Sequence, residues 1–76
     1  MHYMLSMIEN KLKIARVTCG NLTQAEVAEK AGCSRQTINS IENSKFIPSV
    51  ELAMRIAQIL HVRVEDIFFL SEEQEP

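Results

Sequence analysis

The stretch QAEVAEKAGCSRQTINSIE, residues 24–42, decides how this chain folds. Thr23 and the three residues that follow it, Gln-Ala-Glu, match the S/T-x-x-E capping box, which predicts that a helix begins here. Gly32 ends that helix, because glycine readily adopts the left-handed conformation common at helix C-termini. Ser34 is a favoured N-cap residue, so another helix is predicted over residues 35–43.

These two helices carry the residues that close packing across a tight turn requires. Ala28 is small enough to let the next helix cross it, and Gly32 suits the turn. Ile38 and Ile41 are branched apolar residues at the spacing of an anchoring face. Two short helices joined in this way form a helix-turn-helix. The alternative is an ordinary helical hairpin in a small bundle, which would require none of the polar residues on the second of these helices.

The rest of the chain is also predicted to be helical, which makes the fold class all-α. Further helices are predicted over residues 7–18, 50–60 and 64–69, and Ser49 is the N-cap of the second of these. Only two glycines and two prolines interrupt the chain, and apolar residues do not alternate with polar ones. We expect an N-terminal arm over residues 1–6, one domain over residues 7–70, and a frayed acidic tail over residues 71–76.

Length and composition exclude several classes of protein. A chain of 76 residues with 46% hydrophobic and 24% charged residues is predicted to form one small globular domain. It has neither a membrane-spanning apolar stretch nor a secretory leader, so a cytoplasmic location is expected. The chain is too short to line a large pocket, so an enzyme is not expected. The few cysteines and histidines are widely scattered, so neither a metal site nor a cofactor is expected.

Charge is distributed unevenly along the chain. The net charge is −2, but residues 1–46 carry +2 and residues 47–76 carry −4. Because phosphate contacts depend on the local field, any nucleic-acid surface is expected within the first two thirds of the chain.

The sequence resembles the Cro/cI-like, or XRE-type, helix-turn-helix family of prokaryotic transcriptional regulators. The resemblance is carried by NKLKIAR (10–16), LTQAEVAEKAGCSRQTINSIENSKFIPSVELAMRIAQIL (22–60) and VEDIF (64–68), about two thirds of the chain. It implies a compact five-helix domain of the lambda-repressor-like type, with the helix-turn-helix at helices 2 and 3. It also implies that the third helix enters the major groove of double-stranded DNA.

The resemblance also assigns roles to individual positions. Gln36 has the chemistry to contact adenine N6 and N7, and Ser40 lies one turn further along the same face. Arg35 has the chemistry to reach guanine O6 and N7 or to hold a phosphate, and the sequence leaves both roles open. The positions assigned to flanking or phosphate contacts are Gln24, Ser34, Thr37, Asn39, Asn43 and Lys45.

Four further positions are interpreted from the resemblance. In the family, an arginine on helix 1 pairs with the glutamate that matches Glu42, and Arg16 matches that arginine. The alternative is that Glu42 is a plain surface residue. Ser44 stands where the family commonly has glycine, so a strained turn is expected. Arg63 stands where the family often has serine or threonine, so a less well-capped last helix is expected.

The function predicted from these features is regulation of transcription by a homodimer that binds a palindromic operator. The dimer candidates are the four consecutive apolar residues Ile67, Phe68, Phe69 and Leu70, with Tyr3, Met4 and Leu5 of the arm beside them. The alternative for Phe69 and Leu70 is that they fold back on their own domain. The alternative function is a protein-interaction module of the same fold, such as an antitoxin, with weak DNA binding.

Overall fold

The computed structural model describes residues 8–71, and the predicted arm and residues 72–76 of the predicted tail lie outside this range. Five helices are present, which confirms the predicted fold class, and a two-stranded sheet joins the two ends of the described chain. In chain order the elements are β1 (Ile8–Asn10), α1 (Leu12–Thr18), α2 (Gln24–Ala31), α3 (Arg35–Glu42), α4 (Val50–Leu60), α5 (Val64–Ile67) and β2 (Phe68–Leu70).

The N-terminus of α2 has the predicted capping box. Thr23 Oγ1 accepts a hydrogen bond from the Glu26 amide at 3.0 Å, and Glu26 Oε1 accepts one from the Thr23 amide at 2.8 Å. Gly32 ends the helix with φ 81°, where an L-residue would be strained. The starts of α3 and α4 are confirmed in the same way, because Ser34 Oγ and Ser49 Oγ each accept an amide hydrogen bond at 3.1 Å.

The predicted start of the first helix is wrong. Residues 8–10 form a strand, and α1 begins at Leu12, whose amide donates to Asn10 Oδ1 at 3.1 Å. Asn10 Nδ2 also donates to the Ile41 carbonyl at 2.9 Å, so this side chain connects β1 to the end of α3. Ile8 and Leu12, which stand four residues apart in the sequence, therefore belong to two different elements.

The predicted end of the last helix is also wrong. The helix ends at Ile67, and the next three residues pair with β1 in antiparallel register, with Ile8 opposite Leu70. At the start of this helix Asp66 Oδ2 accepts from the Arg63 amide at 3.0 Å. This hydrogen bond lowers the pKa of Asp66 and supplies the capping that Arg63 itself cannot.

The core lies where α2, α3, α4 and α5 meet beneath α1. Its fully buried side chains include Leu12, Ile38, Ile56 and Ile67. Since Ile67 is buried within its own domain, it cannot contribute to a dimer surface, and that part of the prediction is wrong. Phe68 and Phe69 are half-buried in β2, and Leu70 is exposed. Phe69 lies opposite Glu9 in the sheet, with Lys11 Nζ 5.5 Å from the centroid of its ring.

Candidate nucleic-acid interface

Helix α3 presents a polar face to solvent because its apolar face is held in the core. Ile38 and Ile41 are buried against α2, where Ala28 is buried as well. Gln36 lies on the opposite side of the helix and is exposed. The small residue at position 28 and the branched residues on α3 therefore fix which side chains of α3 point outward.

An open cleft runs along the exposed side of α3. The predicted base-reading residues Gln36 and Ser40 line it together with Lys45, which follows the helix. The complete lining is Ser34, Gln36, Thr37, Ser40, Lys45 and Phe46. Arg35 is exposed but does not line this cleft. The structure thus brings Gln36 and Ser40 together and leaves Arg35 at the side.

The turn after α3 positions Lys45 beside this cleft. Ser44 has φ 60°, the left-handed conformation for which glycine is favoured, as the sequence predicted. The Lys45 amide donates to the Ser40 carbonyl at 2.8 Å, and the Ser44 amide donates to the Ile41 carbonyl at 3.0 Å. These two hydrogen bonds form a Schellman motif, which holds the backbone of Lys45 against the end of the helix.

Gln24 is oriented by α3 rather than free at the start of α2. Its Nε2 donates to Asn39 Oδ1 at 3.2 Å and to Glu42 Oε1 at 3.0 Å. Asn43 Nδ2 donates to the Asn39 carbonyl at 3.0 Å, so Asn39 is held from both sides. The two helices of the motif are therefore connected by polar side chains close to the exposed face.

Arg16 and Glu42 form a nearly buried ion pair beneath this polar cluster. Arg16 Nε donates to Glu42 Oε2 at 2.7 Å and Nη2 donates to Oε1 at 3.1 Å, and the side chains are only 11% and 5% exposed. Arg16 Nη1 also donates to the Leu22 carbonyl at 2.8 Å. The hydrogen bond with Glu42 raises the pKa of Arg16. Glu42 is thus a buried partner rather than a plain surface residue.

A family model described as a helix-turn-helix (HTH_3) matches residues 12–67, which is most of the chain. The chain belongs to the Cro/cI-like helix-turn-helix family. It is a DNA-binding transcriptional regulator of the HTH type, and this family is not enzymatic.

Two relatives of this Cro/cI-like protein match nearly their full lengths. An uncharacterized HTH-type transcriptional regulator of Methanocaldococcus jannaschii is 46% identical over 67 residues, which cover 88% of this chain and 100% of the relative. Another from Bacillus subtilis is 36% identical over 66 residues, which cover 87% and 98%. A crystal structure of a candidate DNA-binding protein from Bacteroides fragilis superposes with a TM-score of 0.75 at 25% identity, covering 83% of this chain and 100% of that one.

Phe46 is the cleft residue of this Cro/cI-like protein that sequence reasoning missed. It is exposed beside Gln36 and Ser40, whereas a phenylalanine between Lys45 and Ile47 gives no polar signal for a site. The one feature of the sequence that pointed to Phe46 as a cleft residue was its position shortly after the predicted end of helix 3.

The described part of this Cro/cI-like protein holds no group of three or more metal-ligating side chains.

Burial raises the pKa of the Cys33 thiol, which packs against the core. None of the helices within residues 8–71 is both long and apolar enough to span a bilayer.

Proposed function

We propose that the chain regulates transcription as a homodimer on a palindromic operator, with α3 in the major groove of each half-site. The observation that carries this proposal is the cleft that groups Gln36, Ser40 and Lys45 on the exposed side of α3. Gln36, whose amide can read the edge of a base, lies there beside Lys45, whose ammonium group can hold a phosphate. Action on chromosomal DNA would place the protein in the cytoplasm of a prokaryotic cell.

Base reading is assigned to two residues on the exposed face of α3. Gln36 would contact adenine through its amide, and Ser40 would contact the next base along the groove. Arg35 is exposed outside the cleft, which favours a phosphate or an outer guanine over a central base.

Phosphate contacts are assigned to the residues around this face. Lys45 carries the charge, and its backbone is held by the Schellman motif. Gln24 and Asn39 support α3 through their mutual hydrogen bond and would meet the backbone on one side of the groove. Ser34, Thr37 and Asn43 lie at the two ends of α3 and complete this set.

A dimer is proposed because one recognition helix reads too few base pairs. A half-site of ~4–5 base pairs recurs too often in a genome to be found selectively. Two copies on half-sites ~34 Å apart double the length of the site and make the second contact intramolecular.

Selection of bound sequences from random duplex DNA tests the proposal. We expect a palindromic consensus and a shallow salt dependence of affinity, because the basic groups near the cleft are few and about 4–6 phosphates per dimer would be neutralised. Titration of the selected duplex at several salt concentrations measures this slope. Absence of duplex binding at ~50 mM salt after selection would contradict the proposed function.

Gln36→Ala and Lys45→Ala are expected to affect binding differently. Loss of the Gln36 amide should relax specificity at one base position per half-site and cost ~1–3 kcal/mol there. Loss of the Lys45 charge should weaken binding to all sequences about equally. Lys30→Ala is the matched control, since it removes the same charge from the end of α2, outside the cleft. If all three variants keep the affinity and sequence preference of the unaltered chain, this face does not contact DNA.

A protein-interaction module is the second candidate function. It is favoured by the exposed apolar side chains of the loop before α4 and of α4 itself. A chain that forms stable complexes with a different protein and shows no enriched DNA sequence in the selection would support it.

A further inference from the structure

Exposed apolar side chains form one continuous surface beside α4. Ile47 is 60% exposed, Val50 76% and Met54 57%. Together with Pro48 they surround a concavity to which Ile8 and Phe68 of the sheet contribute. We call these six residues the α4 apolar surface. A contiguous apolar surface in water is unfavourable, and such surfaces commonly mark interfaces.

We propose that a second copy of this chain covers the α4 apolar surface, and that this contact is the two-fold interface of the regulator. The inference rests on the proposed function and deepens it, because it locates the contact that joins the two half-sites. It also replaces the dimer interface that the sequence predicted at residues 67–70. Of those four residues, only Phe68 belongs to the α4 apolar surface.

The shape of the surface suits a contact of one patch with itself. Val50 and Met54 project from successive turns of α4, whereas Ile8 and Phe68 lie half-buried beside them. A two-fold axis brings the same patch of both copies together. Here that patch combines the exposed side chains of Val50 and Met54 with the concavity that they border.

The size of the surface suits a small dimer interface. Ile47, Val50 and Met54 are each more than half exposed, and the largest apolar patch of a small protein is roughly 300–600 Å² and often functional. Two such patches facing each other come close to the ~1,000 Å² at which specific interfaces begin.

The position of the surface favours a second copy over an unrelated partner. Phe46 lines the DNA cleft with Gln36, and it also lines the concavity that adjoins Ile47 and Pro48. The α4 apolar surface is therefore continuous with the edge of the DNA cleft, yet Gln36 and Ser40 are not part of it. A copy docked here need not cover Gln36 or Ser40, because neither residue belongs to this surface.

Sedimentation velocity of the full chain without DNA tests the inference, with Val50→Glu and Met54→Glu as the disrupting variants. Position 50 is the first residue of α4, where a carboxylate interacts favourably with the helix dipole, so Val50→Glu is expected to fold. Ile14→Glu is the matched control, because Ile14 on α1 is 62% exposed and lies outside the α4 apolar surface. Circular dichroism checks that every variant is folded.

We expect the unaltered chain and Ile14→Glu to be dimers, and Val50→Glu and Met54→Glu to be folded monomers, with a dimer dissociation constant raised about 100-fold or more. A folded Val50→Glu chain that remains dimeric would overturn the inference and leave the proposed function standing. An unaltered chain that stays monomeric over the micromolar range would overturn it as well. A dimer that Val50→Glu disrupts but that binds no selected duplex would sustain the inference and refute the proposed function.

Discussion

Replacing Glu42 by glutamine is expected to destabilise the protein by roughly 3–5 kcal/mol, because it leaves a buried arginine without its counter-charge. The carboxylate accepts hydrogen bonds from Arg16 at 2.7 and 3.1 Å and from Gln24 at 3.0 Å. A domain of this size has a total stability of roughly 4–11 kcal/mol. The variant should therefore lose a large fraction of the stability of the domain. Urea denaturation followed by circular dichroism measures the change.

The exposed ion pair on α4 is the matched control for this variant. Arg55 Nη2 lies 2.7 Å from Glu51 Oε2, but the side chains are 54% and 74% exposed. Glu51→Gln is expected to cost at most ~1 kcal/mol, because solvent screens the pair. Replacing Arg16 and Glu42 together by Met and Leu should recover part of the loss, since no charge is then stranded. Equal effects of Glu42→Gln and Glu51→Gln would show that burial does not strengthen the first pair.

The Val50→Glu variant is expected to bind the selected operator about 10²–10⁴-fold more weakly than the unaltered chain. The reason is that a monomer loses the second, intramolecular contact, while its own cleft at Gln36 and Ser40 is unchanged. Its affinity for a duplex that carries one half-site should therefore equal that of the unaltered chain. Fluorescence anisotropy with full and half operators measures both affinities.

The control for this prediction is Ile14→Glu, which adds the same charge at a distance from the α4 apolar surface and should bind the full operator normally. If Val50→Glu weakens binding to the half-site as much as to the full operator, its effect is on the DNA contact itself. In that case the α4 apolar surface acts in recognition rather than in dimerisation.

The sequence by itself determined the elements whose signals are local. The capping box at Thr23, the glycine at position 32 and the serine caps of α3 and α4 each act within a few residues, so the starts of three helices were predicted correctly. Helical spacing placed Ile38 and Ile41 in the core and Gln36 on the outside for the same reason. The resemblance then identified Arg16 as the partner of Glu42, which residue spacing alone would not have shown.

Only the tertiary structure decided the features that depend on residues distant in the chain. The sheet pairs Ile8 with Leu70, and three-residue strands have too little alternation to be recognised before their partner is known. That pairing begins directly after Ile67, which is buried in the core, whereas the exposed apolar side chains lie beside α4. Gln24 is likewise held by Asn39 and Glu42 only because α2 and α3 cross. Long-range pairing and helix crossing set these contacts, and neither leaves a local pattern in the sequence.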